Sequence, residues 1–118
     1  MKPDLVVYQM HANICKVFAS PTRVMIIDVL QKGEQTVSEL EKAIGVRQAT
    51  LSQHLAVLRE KGVVVTKRAG QSVYYQIANP KILQACRLMR EVLLEQMEQN
   101  RHLLDEALPP EKRRSSTR

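Results

Sequence analysis

The stretch Thr36 to Val65, TVSELEKAIGVRQATLSQHLAVLREKGVVV, constrains the fold more than any other part of this chain. Thr36 and Glu39 form a T-x-x-E capping box, in which each side chain satisfies a backbone amide that the first helical turn leaves orphaned. Leu40 and Ile44 follow at helical spacing and face inward, and Gly45 supplies the stop. A second helix, about Gln48 to Lys61, starts with small polar residues and becomes apolar only afterwards, with Leu51, Leu55, Val57 and Leu58 as its buried back. Gly62 closes it, and the β-branched run Val63-Val64-Val65-Thr66 begins a strand. Two short helices across a tight glycine turn leave few arrangements open, and a polar front with an apolar back fits a helix that enters a groove while resting on a core.

The flanking segments complete the unit. Asp4 caps a first helix to about Ala19, whose stripe is Val7, Met10, Ile14 and Val17. Ser20-Pro21 restarts the chain as N-cap and first helical residue, and the helix to about Gln31 carries Met25, Ile26, Val29 and Leu30 before Lys32-Gly33 ends it. After Thr66, Lys67-Arg68-Ala69-Gly70-Gln71 reads as a turn, and Val73 to Ile77 as a second strand, so the pair predicts a β-hairpin with a cationic tip. Asn79-Pro80 opens a long last helix to about Ala107, with a stripe of Ile82, Cys86, Met89, Leu93, Met97 and Leu104, flanked by Leu83, Val92 and Leu103. Pro109-Pro110 ends it. The predicted class is mainly α with a small hairpin (α+β), in the order α-α-α-α-β-β-α: a winged helix-turn-helix over residues 1–108, followed by a basic, Ser-rich tail over 109–118 that reads as disordered.

Composition supports an aliphatic, largely helical core: aromatics are 3% of the 118 residues and Trp is absent. The formal charge is +6, but the tail holds Lys112, Arg113, Arg114 and Arg118 against Glu111, half of that excess. The folded part is only modestly basic, so charge alone does not identify a partner. No apolar run reaches the roughly 18 residues of a membrane span, and the N-terminus is acidic too early for a signal peptide. The expected location is the cytoplasm, with both cysteines at rest as thiols.

Placed in the major groove of double-stranded DNA, the second helix of the unit offers Gln48, Thr50, Ser52, Gln53 and His54 around its exposed side. Gln can pair with adenine, and Ser or Thr with several bases or phosphates. Arg47, just before the helix, can meet phosphate or a guanine edge. Lys67 and Arg68 at the hairpin tip, with Gln71 beside them, suit the DNA backbone or an adjacent minor groove. His54 has a second role open to it, a hydrogen bond inside the domain, because its neighbour Leu55 is core. A winged helix that binds protein or RNA, or acts structurally, is the competing reading. Enzymatic use is disfavoured: Ser52 and His54, two residues apart on one helix, do not face each other, and the 4 glycines are spread singly rather than in a phosphate loop.

The segments FASPTRVMIIDVL, TVSELEKAIGVRQATLSQHLAVLREKGVV and GQSVYYQIANP resemble the ArsR/SmtB family of bacterial winged-helix repressors. The likeness spans roughly Ala12 to Leu94. It implies a homodimer packed through its first and last helices, repression by operator binding, and release by an inducer. It places Gln48, Ala49, Ser52 and Gln53 at the DNA-contacting positions. Two such helices in a dimer fit an inverted repeat at a spacing of about 34 Å.

The chain departs from the family's sensing patterns. Metalloid and cadmium sensors carry Cys-x-Cys where this sequence has Val37, Ser38 and Glu39. Zinc and nickel sensors carry Asp/His pairs on the last helix, where this chain offers Cys86 and a distant His102, separated by roughly 24 Å at the helical rise. Persulfide sensors carry a cysteine where this chain has Asp28. Cys15 and Cys86 remain, one on each of the two helices expected to dimerise, with His11 one turn before Cys15. Three readings stay open: small buried hydrophobes, thiol or persulfide sensing, and a metal or metalloid site using Cys15, Cys86 and His11. No cofactor is required.

Overall fold

In the computed structural model, which describes residues 4–108, seven elements run in the order α1 (Leu5–Val17), α2 (Pro21–Leu30), α3 (Val37–Ile44), α4 (Gln48–Glu60), β1 (Val64–Ala69), β2 (Ser72–Ile77) and α5 (Pro80–Ala107). This is the expected α+β winged helix-turn-helix. The tail that the sequence marks as disordered, 109–118, lies outside the described residues.

Local chemistry sets the helix ends. Asp4 Oδ1 accepts the Val6 amide at 3.0 Å, and Ser20 Oγ accepts the Arg23 amide at 3.4 Å with Pro21 as first helical residue. The Thr36–Glu39 capping box is complete in both directions, at 2.8 and 3.1 Å. At the end of α4 the Gly62 amide donates to the Arg59 carbonyl and the Val63 amide to the Leu58 carbonyl. This Schellman pair requires the left-handed backbone that Gly62 supplies at φ 76°. α1 stops at Val17, two residues short of the expected end.

The chain divides into two compact units after Leu83. In the first, the core is Val17, Ile26, Ile27, Leu30, Leu40, Leu51, Leu55, Leu58, Val63 and Val64. Leu40 is fully buried as expected, and Ile44 half-buried. In α2 the sequence stripe is out of phase by one residue. Ile27 is buried, whereas Met25 is 41% exposed and Val29 half-buried. Four apolar residues in pairs at positions 25, 26, 29 and 30 fit the helical period, yet the side that meets α3 and α4 is centred on Ile26, Ile27 and Leu30.

β1 and β2 pair antiparallel from Val64↔Ile77 to Ala69↔Ser72. The hairpin turn is therefore only Gly70-Gln71, with Gly70 at φ 63° and Gln71 at negative φ, as in a two-residue II′ connection. Lys67 and Arg68, expected in the turn, sit inside β1 opposite Tyr74 and Val73. The ladder extends further than β-branched composition suggested because a two-residue loop brings the strands together at once. Gln35 adds a second partner on the far side of β2, exchanging both backbone bonds with Tyr75 at 2.8 and 3.0 Å. The hairpin is thereby braced against the segment that leads into α3.

The second unit is the length of α5 from Gln84 onward. α5 starts with Asn79 Oδ1 accepting the Lys81 amide at 2.9 Å. No residue in its 28 is buried. Met89, Leu93 and Met97 of its stripe are exposed, as are Leu88, Val92, Leu94, Leu103 and Leu104. α1 repeats the pattern: Val7, Met10 and Ile14 lie open and only Val17 is buried. No helix among the described residues is long and apolar enough to cross a membrane.

Candidate nucleic-acid interface

α4 is two-sided. Leu51, Leu55 and Leu58, at i, i+4 and i+7, are 0% exposed and fix the helix on the core. The opposite side exposes Gln48, Ala49, Thr50, Ser52 and Gln53. Arg47 is the N-cap residue and is itself exposed; its side chain makes no capping bond. The cap side chain therefore gives the first amides of α4 no acceptor, and the residue at the cap is an exposed arginine, an arrangement that suits a phosphate oxygen.

Gln48 is exposed but tethered. Its amide nitrogen donates to Ser38 Oγ at 3.1 Å and to Glu41 Oε1 at 2.9 Å, both on α3. These bonds tie the two helices of the motif together beyond the Gly45 turn, where the Gly45 amide donates to the Glu41 carbonyl at 2.7 Å and the backbone is left-handed at φ 83°.

His54 is turned into the domain. It is half-buried, and its Nδ1 accepts a bond from Arg23 Nε at 3.1 Å. Arg23 Nη1 also reaches the Val17 carbonyl at 3.4 Å. Nδ1 as acceptor places the neutral ring's proton on Nε2. Of the two roles open to His54, the structure builds the intradomain one, because position 54 lies between the exposed 53 and the buried 55 on the helical wheel and faces α2.

On the hairpin, Arg68 and Gln71 are exposed. Lys67 is exposed too, but its Nζ is 3.1 Å from Glu34 Oε1. The cationic character of the wing thus rests on β1 rather than on its turn, and one of its two charges has a carboxylate partner.

The structure brings Arg47, Gln48, Ala49, Thr50, Ser52 and Gln53 onto one exposed face and sets His54 apart from it. Sequence reasoning missed Arg23, Glu34, Ser38 and Glu41. Ser38 and Glu41, three apart on α3, were legible as one polar face. Arg23 and Glu34 were not, since their partners lie 31 and 33 residues away along the chain.

The two thiols differ. Cys15 is exposed on α1. Cys86 is half-buried on α5, and burial pushes its thiol up, with Arg90 pulling the other way. Among the described residues no three His, Cys, Asp or Glu side chains group together as a metal site would need.

A family model described as "Bacterial regulatory protein, arsR family" matches residues 20–66. The Biofilm growth-associated repressor of Xylella fastidiosa (strain Temecula1 / ATCC 700964) is 39% identical over 88 residues, covering 75% of this chain and 77% of the relative. The crystal structure of the transcriptional repressor BigR from Xylella fastidiosa superposes with a TM-score of 0.67 at 38% identity, over 72% of this chain and 87% of that one. A solution structure from Mycobacterium bovis, the homodimeric winged helix-turn-helix DNA-binding domain of a possible ArsR-family transcriptional regulator, gives 0.75 at 29% identity, over 83% and 93%.

Proposed function

The chain belongs to the ArsR family of bacterial regulatory proteins and is a DNA-binding transcriptional regulator, and we propose that it is a homodimeric repressor holding an inverted-repeat operator until an inducer releases it. The observation that carries the reading is the division of α4, with three leucines sealed into the core behind an exposed row from Arg47 to Gln53. That row enters the major groove, and Arg68 and Gln71 of the hairpin meet the flanking backbone.

The dimer buries the open apolar faces of α1 and α5. A helix of 28 residues with none buried has little packing to hold it within its own chain, and exposed stripes of this length are what a second copy covers. The test is a titration of duplex DNA from the promoter of its own gene, read by fluorescence anisotropy at several salt concentrations, with sedimentation in parallel. A steep loss of affinity with salt and a preference for a palindrome are expected. Equal, weak binding to any duplex would overturn operator recognition. A monomer at micromolar concentration would overturn the dimer, and Leu93→Glu should produce one.

The second reading concerns the inducer. Cys15 is an exposed thiol on one of these two helices, and Cys86 a half-buried one on the other. We infer that oxidation or persulfidation of these thiols loosens the operator complex. Tetrasulfide should then release DNA from the parent protein and leave Cys15→Ser or Cys86→Ser bound. Full release with both thiols unmodified by mass spectrometry would remove this reading and leave an inducer independent of cysteine. Release by Zn(II), Cd(II) or As(III) without oxidant would instead favour a metal or metalloid site drawing on His11 and the cysteines.

A further inference from the structure

The tether on Gln48 restricts what that residue can recognise. A free glutamine amide carries two N–H donors and one carbonyl acceptor, and it pairs with adenine by using both kinds of group at once, accepting from N6 and donating to N7. Here the two donors are already engaged, one with Ser38 Oγ and one with Glu41 Oε1. The orientation of the amide follows from its partners. An ionised carboxylate only accepts, so the nitrogen must face Glu41 and the oxygen must face away. The bond to Glu41 is charge-assisted and, at 2.9 Å, short enough to hold it.

We propose that Gln48 reads its base pair as an acceptor alone, and therefore selects a base with an exocyclic amine, adenine or cytosine, over guanine or thymine without separating adenine from cytosine. The proposal rests on the reading of α4 as the helix that enters the groove. In the major groove adenine N6 and cytosine N4 donate, whereas guanine O6 and thymine O4 accept and would meet the Gln48 oxygen lone pair to lone pair. Ser38 and Glu41 are then positioning residues. They act on DNA only through Gln48, and they do so by withholding its donors. Glu41 has a second effect, since its carboxylate disfavours nearby phosphate equally for every sequence. A ratio of affinities between bases cancels that effect.

The experiment is selection and direct titration on an operator library randomised at the base pair facing Gln48, using the full chain. The parent protein should bind adenine and cytosine variants within about threefold of each other, and both on the order of tenfold more tightly than guanine or thymine variants. Ser38→Ala combined with Glu41→Ala frees both donors. Adenine should then exceed cytosine by on the order of tenfold, because only adenine offers an acceptor beside its amine. A merely structural tether would change affinity for all four variants together and leave their ratios alone. Adenine favoured over cytosine by tenfold in the parent, or ratios unchanged in the double variant, would overturn the proposal. Gln48→Ala distinguishes the underlying reading. If it flattens preference at one base pair, the residue reads a base. If preference survives at every base pair, Gln48 is not a base reader, and the proposal falls with that assignment while dimerisation and operator binding by the rest of α4 stand.

Discussion

His54→Phe is the substitution that most directly separates packing from recognition. It keeps a planar ring of similar size but deletes the acceptor that takes Arg23 Nε at 3.1 Å. The half-buried guanidinium would retain only its 3.4 Å bond to the Val17 carbonyl. A hydrogen bond to a charged group contributes roughly 1.5–3 kcal/mol. Solvent reaches this site and discounts that range, so about 1 to 1.5 kcal/mol is the expected loss. For a chain of 118 residues that corresponds to a fall in Tm of about 4–6 °C. Thermal and urea unfolding should be followed at one fixed protein concentration, because association makes apparent stability depend on it. Arg23→Met completes a double-mutant cycle whose coupling should be about 1 kcal/mol, and His54→Gln, which keeps an acceptor, should recover most of the loss. Operator affinity of the folded His54→Phe protein should stay near the parent value. Coupling below about 0.3 kcal/mol together with a tenfold or larger loss of operator affinity would refute the reasoning and return His54 to the DNA.

Other perturbations follow from the same geometry. Thr36→Ala removes the acceptor of the Glu39 amide and should cost about 1 kcal/mol in urea midpoint measurements, with base preference untouched. Glu34→Gln releases Lys67 from its ion pair, and if that lysine reaches a phosphate, affinity should rise and the salt slope steepen by about one unit; an unchanged slope would leave Lys67 outside the interface. For Cys86 the sign is set by burial: with its thiol raised, less thiolate is present at a given pH, so iodoacetamide should modify it slowly at neutral pH and ever faster as pH climbs past the usual thiol range, as mass spectrometry would show.

Much of the fold was written locally. The Thr36–Glu39 box, Ser20-Pro21, Gly45 and Gly62 each act through bonds to neighbours within a few residues, so their spacing alone located helix ends. The apolar back of α4 was equally legible, because only one side of a helix with Leu51, Leu55 and Leu58 can be sealed. Where two phases fitted the same period, as in α2, sequence could not choose between Met25 and Ile27, since the choice depends on where α3 and α4 lie.

The sequence by itself determined the order of elements, the winged helix-turn-helix and the exposed polar face of α4, because helical period, caps and glycine stops are short-range physics. Only the tertiary structure decided which of the polar groups on α4 and the hairpin are free. Arg23 claims His54 from α2, Ser38 and Glu41 hold the Gln48 donors from α3, and Glu34 sits on Lys67. The Gln48 tether spans 7 to 10 residues across a turn, and the His54 and Lys67 pairings span 31 and 33, so all of them depend on how the elements are set against one another. A side chain's hydrogen-bonding capacity is a property of its residue type, but how much of it is left for a partner is a property of the fold.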